Sequence, residues 1–244
     1  MEAIGTIRLR VLTLAFAFCL WPMLSGAGAE SMPVDLELAF VVDASGSIDE
    51  AETQLQRRGY AEALAHPRIL KAISGGFLGR IAVSFIEFAA YECERLSVPW
   101  MMIDGPRSAK EFADLLAQVP YAPCPGGNAV ADAIAFAAQS IDENAFEGTR
   151  RVIDNSGDGP NTMGLTLSSV RTAVVANDIT INALVLERPE MQDLPDYFRR
   201  FVIGGPGAFA IEAKNHGTFA AAILKKMLSE IVTVPNRRRL ANNP

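Results

Sequence analysis

The chain has 244 residues, half of them hydrophobic and a fifth charged, with a formal net charge of -6. That composition is globular rather than disordered, and the length suits one domain with extras or at most two small ones. The acidic balance excludes a nucleic-acid-binding footprint; the one basic cluster, Arg237, Arg238 and Arg239, reads as part of a solvated tail over 235–244.

Arg8 and Arg10 precede an apolar run from Val11 to Leu24 and the small residues Ser25-Gly26-Ala27-Gly28-Ala29. A basic start, an apolar centre and small residues at -3 and -1 read as a signal peptide over 1–29, cleaved before Glu30. The apolar run falls short of the roughly 20 residues that span a bilayer, with an uncleaved anchor as the alternative. Cys19 is lost with such a leader, leaving Cys93 and Cys124. An even pair in an oxidising compartment reads as one disulfide; two buried free thiols remain the alternative.

The following segment, 30–234, alternates two kinds of block. Val34 to Val42 is nearly continuous in apolar residues, as in a strand buried on both faces. Asp49 to Ala65 reads as a helix with acidic residues in its first turn. Arg80 to Ala89 and Leu96 to Ile103 are strands close enough to form an antiparallel hairpin. Ser108 to Val119 and Asn128 to Asn144 are helices, the first with a capping box at Ser108 and Glu111, the second capped by Asn128.

Further on, Arg150 to Ser156 is a strand, Leu165 to Asn177 a helix, and Ile179 to Leu186 (ITINALVL) a strand of parallel-sheet type. A short helix over Leu194 to Phe201, a short strand over Phe209 to Ala213 and a helix over Gly217 to Ile231 complete the series. Alternating strands and helices predict a doubly wound α/β sandwich, mostly parallel with one antiparallel edge strand. In such sheets ligands sit at the carboxyl ends of strands near the switch point.

At that place, directly after the first strand, stands Asp43-Ala44-Ser45-Gly46-Ser47. With VDLELAFVVDASGSID at 34–49, RRVIDNSGDGPNT at 150–162 and VIGGPGAF at 202–209, the sequence resembles the von Willebrand factor A domain. It is most similar to a bacterial branch of exported proteins of unknown function. The resemblance implies a metal-ion-dependent adhesion site that starts at DxSxS, here Asp43, Ser45 and Ser47. Asp158 before Gly159 matches the third-loop aspartate. The second loop departs from the pattern: Asn128 follows Gly126-Gly127 where the family has threonine. Its amide oxygen suits a hard cation, but reaches one atom further than a hydroxyl.

Hydroxyl, amide and carboxylate oxygens in this mixture suit Mg2+, with Mn2+ or Ca2+ as alternatives. The resemblance further implies a partner protein that offers a Glu or Asp carboxylate, met in the periplasm or outside the cell. Two readings stand beside it: Asp43 ends a strand while Ser45 and Ser47 cap the next helix in a metal-free interaction domain, or the chain is an uncharacterised hydrolase. The sequence favours no catalytic set. His66 and His216 belong to no zinc pattern, a GxSxG elbow is absent, and Gly204-Gly205-Pro206-Gly207 lacks a phosphate-loop lysine. Glu87, Glu92 and Glu94 read as a charged hairpin rim rather than an acid–base pair.

Overall fold

The computed structural model of the protein describes residues 31–46, 48–214 and 216–232, with the side chain of His216 left out. The leader, Cys19, Ser47 and the arginine-bearing tail lie outside the described residues. The chain runs β1 (Met32–Val34), β2 (Glu37–Asp43), α1 (Glu50–Leu64), α2 (Pro67–Ser74), β3 (Ile81–Phe88) and β4 (Arg95–Ile103). It continues through α3 (Pro106–Gln118), α4 (Val130–Asp142), β5 (Phe146–Gly148), β6 (Arg151–Gly157), α5 (Leu167–Ala176) and β7 (Ile179–Leu186). The last elements are α6 (Leu194–Tyr197), a π-helical turn at Phe198–Val202, β8 (Ala210–Ala213) and α7 (His216–Val232).

The central sheet has the order β4-β3-β2-β6-β7-β8. Every pairing is parallel except β3 with β4, where Ile81 faces Ile103 and Glu87 faces Arg95. The expected mostly parallel sheet with one antiparallel edge strand is therefore what the chain builds. β2 and β3 are buried along their whole length, which is why neither alternates in polarity. One face of the sheet packs Phe40, Phe85 and Leu184 against Tyr60 of α1, Phe112 of α3 and Ile223 of α7. The other packs Val41, Ile153 and Val185 against Ile134 of α4, Val174 of α5 and Phe198. This is the two-sided packing that commits a strand to apolar residues on both faces.

Local signals differ from the expectations in instructive places. α1 is capped by Asp49, whose side chain accepts from Glu52 N–H while Glu52 reaches back to Asp49 N–H. A complete capping box there removes Ser45 as a helix cap. α2 went unread because His66-Pro67 resembles a helix end. Instead Pro67 opens the helix, where its missing N–H costs nothing, and His66 Nδ1 accepts from Arg68 N–H. α3 begins at Pro106, so Ser108 is its third residue, bonded back to Asp104 and Gly105. Glu111 pairs with Arg107 rather than capping. Asn128 lies one residue before the Ala129 cap position of α4, and the two three-residue strands β1 and β5 pair separately.

Candidate metal centre

β2 is the hinge of the sheet: β3 lies on one side of it and the chain returns on the other as β6. Val42 pairs with Ser156, so the next residues, Asp43 and Gly157-Asp158, leave neighbouring strand ends at the switch point. Asp43 and Asp158 are 2 % and 3 % exposed, and Ser45 is also buried. Asp43 Oδ1 accepts the Ser45 N–H at 2.8 Å, and the Ser45 hydroxyl also bonds the carboxylate. Asp43 Oδ2 is buried without a donor at hydrogen-bond geometry. Burial, then repulsion from the Asp158 carboxylate, pushes the Asp43 carboxyl up to about 7, against hydrogen bonds from Ser45 and the Asp158 backbone.

The second loop comes in from the other side. Asn128 is buried, and a Cβ at Gly159 would collide with its Nδ2. Only glycine lets the amide lie beside Asp158. Gly126, at φ +145°, is held in a conformation that side chains rarely adopt, with Ala90 in the space a Cβ would need. The loops are stitched together. Thr162 N–H donates to Asn128 O, and Asn128 N–H donates to Thr162 Oγ1, both at 2.9 Å. Asn161 Oδ1 accepts Ala131 N–H at 2.9 Å, giving the first turn of α4 the acceptor its own cap position lacks. Asp132, read from sequence as solvated or capping, is a buried brace whose Oδ2 accepts Leu165 N–H at 2.7 Å.

Asp43, Ser45, Asn128 and Asp158 thus gather from three loops, and Ser47 lies outside the described residues. No group of three or more His, Cys, Asp and Glu side chains placed to hold a metal occurs among the described residues. Any cation here would draw its remaining oxygens from serine, asparagine and water. The residues fit such a group: a carboxyl with one buried, unbonded oxygen feels the repulsion of a second carboxylate, and all donors are hard oxygens. Sequence reading missed one participant. Arg188, two residues beyond β7, donates from Nε (2.9 Å) and Nη2 to Asp158 Oδ2. No motif marks it; only its place just past the end of β7, the strand next to β6, does.

Beside the centre opens a cavity of about 380 Å³, lined by Ala44, Glu87, Glu92, Glu94 and the disulfide of Cys93 and Cys124. Glu87 is not a rim residue: Arg57 holds its Oε1, while Arg95 and Ser97 hold its Oε2. With both oxygens engaged it forms no acid–base pair with its neighbours. The disulfide joins the β3–β4 hairpin to the Gly126-Gly127 loop across 31 residues, with Cα atoms 6.3 Å apart. Replacing both cysteines with serine is expected to cost about 2–4 kcal/mol by freeing the unfolded chain. Urea unfolding checks this, and a loss below about 1 kcal/mol would contradict it.

Three comparisons bear on the fold. The pilus adhesin SpaC from Lactobacillus rhamnosus GG superposes with a TM-score of 0.61 at 12% identity, covering 82% of this chain and 31% of that one. Proximal thread matrix protein 1 from the mussel byssus, solved with a zinc-occupied MIDAS motif, gives 0.54 at 9% identity over 83% and 49%. A von Willebrand factor type A protein from Catenulispora acidiphila gives 0.50 at 12% identity over 81% and 43%. The chain spans between 31% and 49% of the length of these proteins, and the likeness shows the fold alone. No curated protein matches the sequence. The profile described as "Protein of unknown function (DUF1194)" matches residues 33–235, so the chain belongs to that family, built on a von Willebrand factor A-type fold.

Proposed function

We propose that the protein is an exported, divalent-metal-dependent binding module that captures a carboxylate of a partner protein at the Asp43–Asp158 centre. One observation carries this reading: Asp43 Oδ2 is buried without a donor at hydrogen-bond geometry, and its carboxyl feels the repulsion of a second buried carboxylate, Asp158, at the switch point of the sheet. In a protein without a cation, that arrangement is costly. Asp43, Ser45, Ser47, Asn128 and Asp158 would hold the ion, directly or through water. Bound there, Mg2+ or a similar ion supplies a positive, oxygen-seeking centre. The protein contributes few anionic ligands, so a Glu or Asp from outside completes the shell.

The surroundings suit a protein ligand. Tyr91, Leu165 and Met191, on three loops at this end of the sheet, are large exposed hydrophobics, 57%, 48% and 42% accessible. Tyrosine and methionine are among the residue types enriched at protein interfaces. Export rests on residues 1–29. Among the described residues no helix is long and apolar enough to cross a membrane.

The test is calorimetric titration of the exported domain with Mn2+ and Mg2+, beside Asp43→Ala. Saturable 1:1 binding is expected, weakened at least about 100-fold in the variant. At a hundredfold excess over its Kd the metal should add about 2.7 kcal/mol to stability, removed by chelator. A folded Asp43→Ala protein with unchanged affinity would overturn the reading. A metal-free interaction domain is the second reading, and the Arg188–Asp158 pair favours it, since one carboxylate already has a cation.

A further inference from the structure

Asp158 is only 3 % exposed, yet its Oδ2 receives two donors from a single guanidinium. That guanidinium comes from a fourth segment, the exit of β7, and is a third exposed. A fork on one carboxylate is a strong, charge-assisted contact. The centre without an ion therefore holds Asp158 against one fixed cation, with Asp43 beside it. A divalent ion entering between the carboxylates must share Asp158 with Arg188 and approach a like charge at short range. Beside two buried carboxylates, even with partial screening, such repulsion is large compared with thermal energy.

We propose that Arg188 is a tethered counter-ion that competes with the divalent metal for Asp158 and so sets the affinity of the centre. This rests on the reading of Asp43 and Asp158 as metal ligands. Arg188 stabilises the empty site by neutralising Asp158, and it weakens metal binding by the same interaction. It also leaves the loaded site with one positive charge in excess: two carboxylates, one divalent ion and one guanidinium sum to +1. An incoming carboxylate from a partner removes that excess.

Calorimetric Mn2+ titration of wild type, Arg188→Gln, Arg188→Lys and Asp43→Ala tests this. Arg188→Gln should bind Mn2+ at least about tenfold more tightly than wild type, because the repulsion is gone. Arg188→Lys, which keeps the charge but loses the two-donor fork, should fall between wild type and Arg188→Gln. Binding by Arg188→Gln alone, with none in wild type, supports the proposal in its strongest form. Unchanged or weaker binding in a folded Arg188→Gln protein overturns it, while loss of binding in Asp43→Ala still leaves the metal centre standing. Binding that survives in Asp43→Ala, or is absent from all four proteins, overturns the centre and the proposal together. A second measurement uses wild type alone and does not depend on the variants folding: the Nε–H resonance of Arg188, followed during Mg2+ titration. It should shift and exchange faster with water as Asp158 is shared. A saturating Mg2+ response elsewhere in the centre with that resonance unmoved overturns the proposal.

Discussion

Replacing Lys226 with methionine is expected to destabilise the protein by about 3–5 kcal/mol, a large share of the total stability of a domain this size. Lys226 is 0 % exposed in the middle of α7. Its Nζ lies 2.6 Å from Asp154 Oδ1 of β6 and 2.6 Å from Glu230 Oε1, one helical turn on. Asn182 Nδ2 of β7 donates to the same Glu230 oxygen, and the Tyr60 hydroxyl of α1 donates to Asp154. Methionine matches the apolar stem but strands the Asp154 carboxylate in the core without its cation and takes a donor from Glu230, which is the costly way to break a buried ion pair. Urea unfolding at pH 7 measures the loss. The double variant Lys226→Met/Asp154→Asn should recover part of it, because the stranded charge is gone. A single variant within about 1 kcal/mol of wild type would show that the cluster is not charged in the folded protein.

The cluster marks the boundary of what could be read beforehand. Strands buried on both faces announce themselves as unbroken apolar runs, so β2, β3 and β7 and the doubly wound order were legible, and with them the switch point where Asp43 stands. Lys226 and Glu230, four residues apart, carry no sign of burial in their residue types. Their spacing from Phe219, Ile223 and Met227 puts them on the buried stripe of α7, a signal that composition hides and helical periodicity carries. Arg188 and Glu87 were misjudged or missed for a related reason. Charge partners are set by which strands are neighbours, and β7 meets β6 only in three dimensions. The bracing of the second loop by Asn161, Thr162 and Asp132 was equally invisible, since each bond joins residues at least 30 positions apart.

Stability should fall as pH rises from about 4.5 to about 8, and Glu230→Gln should remove the share of that slope that Glu230 contributes. Burial, then the Asp154 carboxylate, pushes the Glu230 carboxyl up to about 8, while Lys226 and Asn182 act in the opposite direction. Across that window the folded protein keeps a proton that the unfolded chain has released from its ordinary carboxyl at 4.5. Where the folded state binds more protons, raising the pH favours unfolding. The full contribution of this group is present below pH 4.5 and is lost as the pH passes 8. Arg150 adds a cation near Glu230 from the β5–β6 connection, and Tyr60 faces the same cluster from α1. Neither reverses the sign. Asp43 adds a slope of the same sense between its ordinary 3.8 and about 7, so the comparison is made between wild type and Glu230→Gln under identical metal-free conditions. Glutamine keeps an oxygen for Lys226 and Asn182 and cannot ionise. At pH 8 it should be more stable than wild type by on the order of 2 kcal/mol, and at pH 4 no more stable. Parallel stability–pH curves for the two proteins would mean that Glu230 is already ionised in the fold, held so by Lys226.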